Sequence, residues 1–283
     1  MLSHSESILS KIEKTIQEED LLQDTFRVRY NASMRIWALA DLHLSFGVQN
    51  KSMDYFGPAW AGHTQKMAEN WRAAIAPEDL VLIPGDISWA MKLEEAVPDL
   101  QWIHELPGTK VLLKGNHDYW WGSLAKIVPV LPPSIHLVQN NAFHWKEVAI
   151  GGARLWDTPE YSFGSFIEYQ ENPRQKKKDP EEALQEDLGK KIFERDLQRL
   201  EMSLKQLNPD AKLRIAMTHY PPISADLKPS RASTILEKHR IDICVFGHLH
   251  NIKSGFNLFG EKNGVRYVLA ASDYLRFQPI CLR

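Results

Sequence analysis

From Met34 onward the chain is punctuated by short, continuous apolar runs of strand length. They are Ile36–Ala40, Leu80–Ile83, Val111–Leu113, Val148–Ile150, Leu213–Met217, Ile243–Phe246 and Val265–Ala270. Apolar positions at helical spacing fill several of the intervals, over Thr64–Ile75, Leu93–His104 and Glu181–Leu207. Runs that are apolar throughout, rather than alternating, predict strands covered on both faces. The pattern therefore specifies an α/β fold with buried sheets layered against helices. In the longest helix, Leu184, Leu188, Ile192, Leu197, Leu200 and Leu204 form the expected buried stripe.

Two segments break this rhythm. In residues 1–33, Ile8, Ile12, Ile16 and Leu21 recur at spacings near four and predict an amphipathic helix, while Phe26-Arg27-Val28-Arg29-Tyr30 alternates like a short strand. The repeat is too short for a coiled coil, so an extension packed on the main domain is expected. Within the domain, residues 34–283, a polar and charged insertion spans about 156–191 and carries Lys176-Lys177-Lys178. Such a run is either a solvated loop or a phosphate-attracting lid. No apolar run approaches the ~18 residues that a membrane span needs. The opening Met-Leu-Ser-His-Ser-Glu-Ser has neither the cationic start nor the apolar core of a secretory signal. A soluble, cytoplasmic protein is expected.

Composition narrows the chemistry. Lys and Arg number 34 against 36 Asp and Glu, a formal net charge of −2. With no broad basic field, nucleic-acid binding is disfavoured, although a local basic patch is left open. Of two cysteines, Cys244 lies inside an apolar run and reads as a buried thiol. The histidines are the unusual count: eleven in all, with His43, His117, His219, His248 and His250 placed just after apolar runs. His4, His63, His104, His136, His144 and His239 have no comparable context and receive no role.

Five motifs follow predicted strands: Asp41-Leu42-His43, Gly85-Asp86, Gly115-Asn116-His117-Asp118, His219-Tyr220-Pro221-Pro222 and Gly247-His248-Leu249-His250. In open α/β sheets the carboxyl ends of parallel strands face one rim, so these groups converge in space. The set is acids, an Asn amide and imidazoles without thiolate, which suits Mn, Fe, Zn or Co rather than a thiolate-held structural zinc. It holds more donors than one ion needs. Two ions sharing a carboxylate, about 3.5–4 Å apart and able to activate a bridging hydroxide, fit better. Gly85, Gly115 and Gly247 each precede a candidate ligand, where backbone must pass close to the ions.

Together these motifs resemble the signature of the calcineurin-like metallophosphoesterase superfamily, and the resemblance runs from Met34 to the C-terminus. Leu82–Ala90 and Lys114–Trp121 are similar to a branch of uncharacterised bacterial phosphohydrolases. The resemblance implies a four-layer α-β-β-α sandwich with two mixed sheets and a di-metal site at the strand ends. One ion would be held by Asp41, His43, Asp86 and His250, the other by Asp86, Asn116, His219 and His248. Two divalent ions are implied, with Mn the favoured occupant. His117 would not ligate; it would donate to the phosphate or protonate the leaving oxygen, and Asp118 would orient it.

The expected activity is hydrolysis of mono- or diesters of phosphate on a small substrate. Protein phosphatases of the superfamily carry a further Asp and Arg after the Gly-Asp motif and end the next motif in Glu. Here Ile87-Ser88-Trp89-Ala90-Met91 and Asp118 stand in those places, which argues against a phosphoprotein substrate. Arg154 is a candidate replacement phosphate clamp. Trp89, Trp120, Trp121, Tyr55 and Phe56 lie near the metal loops, either as packing or as a wall for an aromatic group. A nuclease or nucleotide phosphodiesterase, or a non-catalytic scaffold on the same fold, are the competing expectations; a scaffold would have no need of the complete donor set.

Overall fold

In the computed structural model of the chain, the residues described are 34–168, 182–256 and 258–283. The expected helix and strand before Met34, and the run Lys176–Lys178, lie outside them. All seven apolar runs are strands. They are joined by four short strands that the pattern did not announce: Ile135–Val138, Phe143–Trp145, Glu261–Lys262 and Ile280–Cys281.

In chain order the strands are β1 (Ile36–Ala38), β2 (Leu80–Pro84), β3 (Thr109–Leu113), β4 (Ile135–Val138), β5 (Phe143–Trp145), β6 (Val148–Ala153), β7 (Leu213–Thr218), β8 (Ile243–Phe246), β9 (Glu261–Lys262), β10 (Val265–Leu269) and β11 (Ile280–Cys281). The helices are α1 (His63–Ala74), α2 (Leu93–Glu105), α3 (Leu124–Ile127), α4 (Glu182–Leu204) and α5 (Arg231–Lys238). One sheet has the order β11-β1-β2-β3-β4, the other β5-β6-β7-β8-β10-β9. β1 through β4 are parallel, as are β6, β7, β8 and β10; β11, β5 and β9 add antiparallel edges, so both sheets are mixed.

The alternation of side chains along each strand builds the layers. Ile36, Ala38, Leu80, Leu82, Val111 and Leu113 of the first sheet share one cluster with Val148, Ile150, Ile215, Met217 and Val245 of the second, which is the core between the sheets. Their neighbours Trp37, Leu39, Val81, Ile83 and Leu112 face the other way, onto Met67 and Trp71 of α1 and Leu100 and Ile103 of α2. On the far side Ala149, Ala216, Cys244 and Phe246 meet Phe193, Leu197, Leu200 and Leu204 of α4 and Leu236 of α5. The four-layer α-β-β-α sandwich is thus written in which residues share a cluster. The stripe on α4 is Phe193, Leu197, Leu200 and Leu204; Leu188, expected on it, is 58% exposed. Pairing extends past the ends of the regular strands at the rim, where Ala40 bridges to Ala271 and Leu44 to Ser88. The Ala40 N–H donates to Ala270 at 2.7 Å and so ties the two sheets together beside Asp41. Among the described residues no helix is long and apolar enough to cross a membrane.

Candidate metal centre

Each predicted ligand sits within five residues of a strand end, and the two sheets bring them together at one rim. Asp41 and His43 follow β1, Asp86 follows β2, Asn116 follows β3, His219 follows β7, and His248 and His250 follow β8. The backbone there is unusual. Asp41, His43, Asp86 and His248 have φ of 59°, 46°, 52° and 73°, in the left-handed region that side-chain-bearing residues visit rarely. Such conformations cost roughly 1–2 kcal/mol each and cluster where surrounding structure forces side chains to a common point.

The donor atoms form two pockets. In the first, His43 Nε2 is 3.4 Å from His250 Nε2 and 3.9 Å from Asp86 Oδ2, and His250 Nε2 is 3.6 Å from Asp41 Oδ1. In the second, Asn116 Oδ1 is 2.7 Å from His219 Nε2 and 3.0 Å from His248 Nδ1, and His219 Nε2 is 3.4 Å from Asp86 Oδ1. Around a cation with bonds of about 2.1 Å, neighbouring ligand atoms stand about 3.0 Å apart at right angles and about 3.4 Å apart in a tetrahedron. The spacing and the oxygen–imidazole chemistry therefore fit divalent ions. Asp86 turns one oxygen to each pocket. Asp41 Oδ1 also lies 3.9 Å from His219, but from Nδ1, the nitrogen that is bonded to the Pro84 carbonyl at 3.0 Å. That bond leaves the Nε2 lone pair of a neutral His219 facing the second pocket.

Electrostatics agree. Burial pushes the Asp41 carboxyl up to about 7 against the pull of His250 and His219. Burial also opposes ionisation of Asp86, yet His219, His43 and His117 around it hold its carboxyl well below the ordinary range. His219 and His250 are raised to about 9 in spite of burial, by Asp86 and Asp41 for the first and by Asp273 for the second. His43 and His248 are lowered well below the usual imidazole value, burial being the largest cause. Carboxylates out of reach of water are drawing positive charge toward themselves, a condition that a divalent cation satisfies.

The glycines act as expected. A Cβ on Gly85 would fall 2.7 Å from Cγ of His219, one on Gly115 2.9 Å from Cα of Asp86, and one on Gly247 3.0 Å from Cγ of Asp41. His117 is half-buried at the mouth of the site. Its N–H donates to Asp86 Oδ1 at 2.8 Å, and its ring is 5.8 Å from that of His43.

Asp118 is elsewhere engaged. Its Oδ1 accepts from the N–H groups of Ile87 and Ser88 and from the Trp120 indole at 2.9–3.1 Å, and its Oδ2 from Gly115 at 2.7 Å. No bond from Asp118 to the His117 ring is seen among these contacts; the carboxylate instead pins the loops that carry Asp86 and Asn116. The aromatic wall also needs revision. Trp120 and Trp121 are 3% exposed and serve the core, whereas Trp89 stacks on His43 at 5.0 Å and meets His117 at 4.5 Å. Tyr55 is exposed, and Phe56 stacks outside Trp89. Arg154 is turned to Asp196 at 3.5 Å and to the Trp156 ring.

Three contributors escaped the pattern. Asp273 accepts from His250 Nδ1 at 2.8 Å and fixes which nitrogen faces the pocket. It lies four residues past the end of β10, the same strand-end signal that marked the ligands. Ser272 donates to the Asp41 carbonyl at 2.7 Å. Trp60 sets its ring edge-on to both His43 and His250, at 5.8 and 5.7 Å. Beside His248, a groove of about 620 Å³ is walled by Trp156, Tyr161, Phe163, Tyr220 and Pro221.

The chain is similar to several known proteins. The gene 66 protein of Mycobacterium phage D29 is 35% identical over 83 residues, which are 29% of this chain and 40% of the phage protein. A protein of unknown function from Aquifex aeolicus superposes with a TM-score of 0.44 at 17% identity, covering 88% of this chain and 96% of its own. A phosphopantetheinyl hydrolase from Mycobacterium tuberculosis gives 0.45 at 15% identity, with the same two coverages. Residues 34–251, which carry every predicted donor, match the sequence profile of the calcineurin-like phosphoesterases, and the chain belongs to that family.

Proposed function

We infer that the protein is a metal-dependent phosphohydrolase acting on mono- or diesters of phosphate carried by a small molecule. The observation that carries this is Asp86, with one carboxylate oxygen turned to each of two donor pockets. Two divalent ions are proposed to occupy them, Mn first among the candidates, with Asp41, His43, Asp86 and His250 on one side and Asp86, Asn116, His219 and His248 on the other. Held by those residues, divalent ions would supply charge neutralisation at a phosphoryl group and a lowered pKa for a bound water.

The remaining steps belong to side chains. His117 stands at the mouth, where burial lowers its pKa below the ordinary value, so near neutrality its imidazole is a hydrogen-bond donor to a phosphoryl oxygen. Protonating the departing oxygen takes the imidazolium, so the neutral ring would first accept the proton released by the attacking water and then pass it on. Trp89 keeps the His117 and His43 rings in place by contact with both. The aromatic groove beside His248 suits a flat or apolar leaving group, with Tyr220 lying 3.9 Å from the His248 ring. A cytoplasmic setting belongs to the same proposal, since both cysteines are free thiols.

The test is hydrolysis of p-nitrophenyl phosphate and bis(p-nitrophenyl) phosphate with Mn²⁺ added. Both should be turned over, the bis ester at least comparably. His117→Ala should keep the wild-type metal content and lower kcat by roughly 10²–10⁴-fold. Unchanged turnover would remove His117 from the chemistry. Rapid dephosphorylation of phosphoproteins beside inert small esters would overturn the substrate class.

A further inference from the structure

One strand outward from the second donor pocket, the same rim holds another polar cavity. Lys114 follows β3, Asn140 follows β4, Arg154 follows β6, and Arg195, Asp196 and Arg199 project from α4; they line a space of about 300 Å³. The Asp196 side chain is only 1% exposed, and three guanidinium groups converge on it: Arg199 at 3.0 Å, Arg154 at 3.5 Å and Arg195 at 3.7 Å. Lys114 lies on the same wall, its ammonium steadied by the Trp121 carbonyl at 2.8 Å.

Holding α4 against the sheet needs one Arg–Asp pair. Four cations line the cavity against the carboxylate of Asp196 and, toward Lys114, that of Asp118, so positive charge is left in excess, and like charges gathered so closely favour an anion among them. Each guanidinium carries five N–H donors in a fixed fork, and one carboxylate cannot occupy three forks. Arg199 and Arg195 are 42% and 52% exposed, so their spare donors are open to a ligand. Planar forks beside an ammonium are the arrangement that recognises tetrahedral oxyanions. The backbone links this cavity to the metal centre: the Arg154 carbonyl accepts from the N–H groups of His219 and Tyr220, both at 3.0 Å.

We propose that the cavity formed by Lys114, Arg154, Arg195 and Arg199 around Asp196 is an oxyanion-binding site that takes a phosphate group. The phosphate is either a second one on the substrate, which rests on the phosphohydrolase function above, or free inorganic phosphate, which does not.

The experiment titrates the full-length, metal-loaded protein with inorganic phosphate by calorimetry, beside Arg199→Gln, Arg195→Gln and, as a control on α1, Arg72→Gln. Asp196 keeps two partners in either cavity variant, and a thermal melt verifies that each is folded. Wild type and Arg72→Gln should show a phosphate-binding event that Arg199→Gln and Arg195→Gln weaken by roughly tenfold or more, the cost of one charge-assisted hydrogen bond. Turnover of p-nitrophenyl phosphate should be unchanged in both. The KM for an ester with a second phosphate separates the sources. A rise confined to that ester assigns the site to substrate; unchanged KM with weakened phosphate binding assigns it to free phosphate. Phosphate isotherms and KM values identical to wild type in both cavity variants would overturn the site. If no ester is hydrolysed at all while the isotherms still differ, the phosphohydrolase function fails and the oxyanion site stands.

Discussion

Replacing Gly85 by Ala probes how tightly the donors are built into the backbone. Gly85 has φ of +99°, and an added Cβ would lie 2.7 Å from His219 Cγ and 2.9 Å from Gly115 Cα. Carbon atoms in contact prefer about 3.5–4.0 Å, so the His219 ring must move by roughly 1 Å. Such a shift breaks its 3.0 Å bond to Pro84, the next residue back along the chain. Losing a buried hydrogen bond costs about 1–3 kcal/mol, overpacking about 1–3 kcal/mol, and a side chain at positive φ about 1 kcal/mol. The total of about 3–7 kcal/mol should lower Tm by roughly 6–28 °C in a domain of this size. Gly62→Ala is the control. Its φ is +64° but nothing lies within 4 Å of the new Cβ, so it carries the backbone term alone. Thermal melts and elemental analysis of both variants decide the matter. If Gly85→Ala melts with Gly62→Ala and keeps full metal content, close backbone approach is not what positions His219.

Two further outcomes follow from residues outside the donor set. Asp273→Asn should leave the fold intact and weaken retention of the ion beside His250 by roughly 10–100-fold in a chelator competition; unaltered affinity would remove Asp273 as an orienting group. Asp99, fully buried and accepting from Phe46 N–H and the Ser88 hydroxyl, is pushed up to about 6 by burial. A carboxyl raised above its unfolded value binds more protons in the native state, so its contribution is complete below about pH 4 and is lost as the pH rises through about 6. Wild type should therefore lose on the order of 2–3 kcal/mol relative to Asp99→Asn across that window in denaturant melts; parallel curves would contradict the assignment.

The strands were legible wherever burial on both faces made the run continuous, as in Leu80–Ile83 and Ile243–Phe246. β5 was not, because Phe143-His144-Trp145 is an edge strand with a polar centre, and β11 has only two residues. Which sheet a strand joins is not written in its own residues, since Ile36 and Trp37 are both buried, against different layers. The residues gathered at the rim were legible because strand ends converge. Their supports were harder. The resemblance paired Asp118 with His117, whereas its carboxylate accepts from the backbone of Ile87, Ser88 and Gly115. Asp99 is invisible at a distance because it reaches the Ser88 loop from a helix whose sequence pattern only announces a buried face.

The central proposal is that two ions share Asp86, and metal content measured on purified protein tests it most directly. Elemental analysis should find about two divalent ions per chain. Asp86→Asn should lose both together, while His43→Ala should mainly release the one beside it. Chelation of the wild type should also lower its Tm, because the ions bind the folded state preferentially. Asp86→Asn retaining both ions at wild-type affinity would contradict the shared carboxylate.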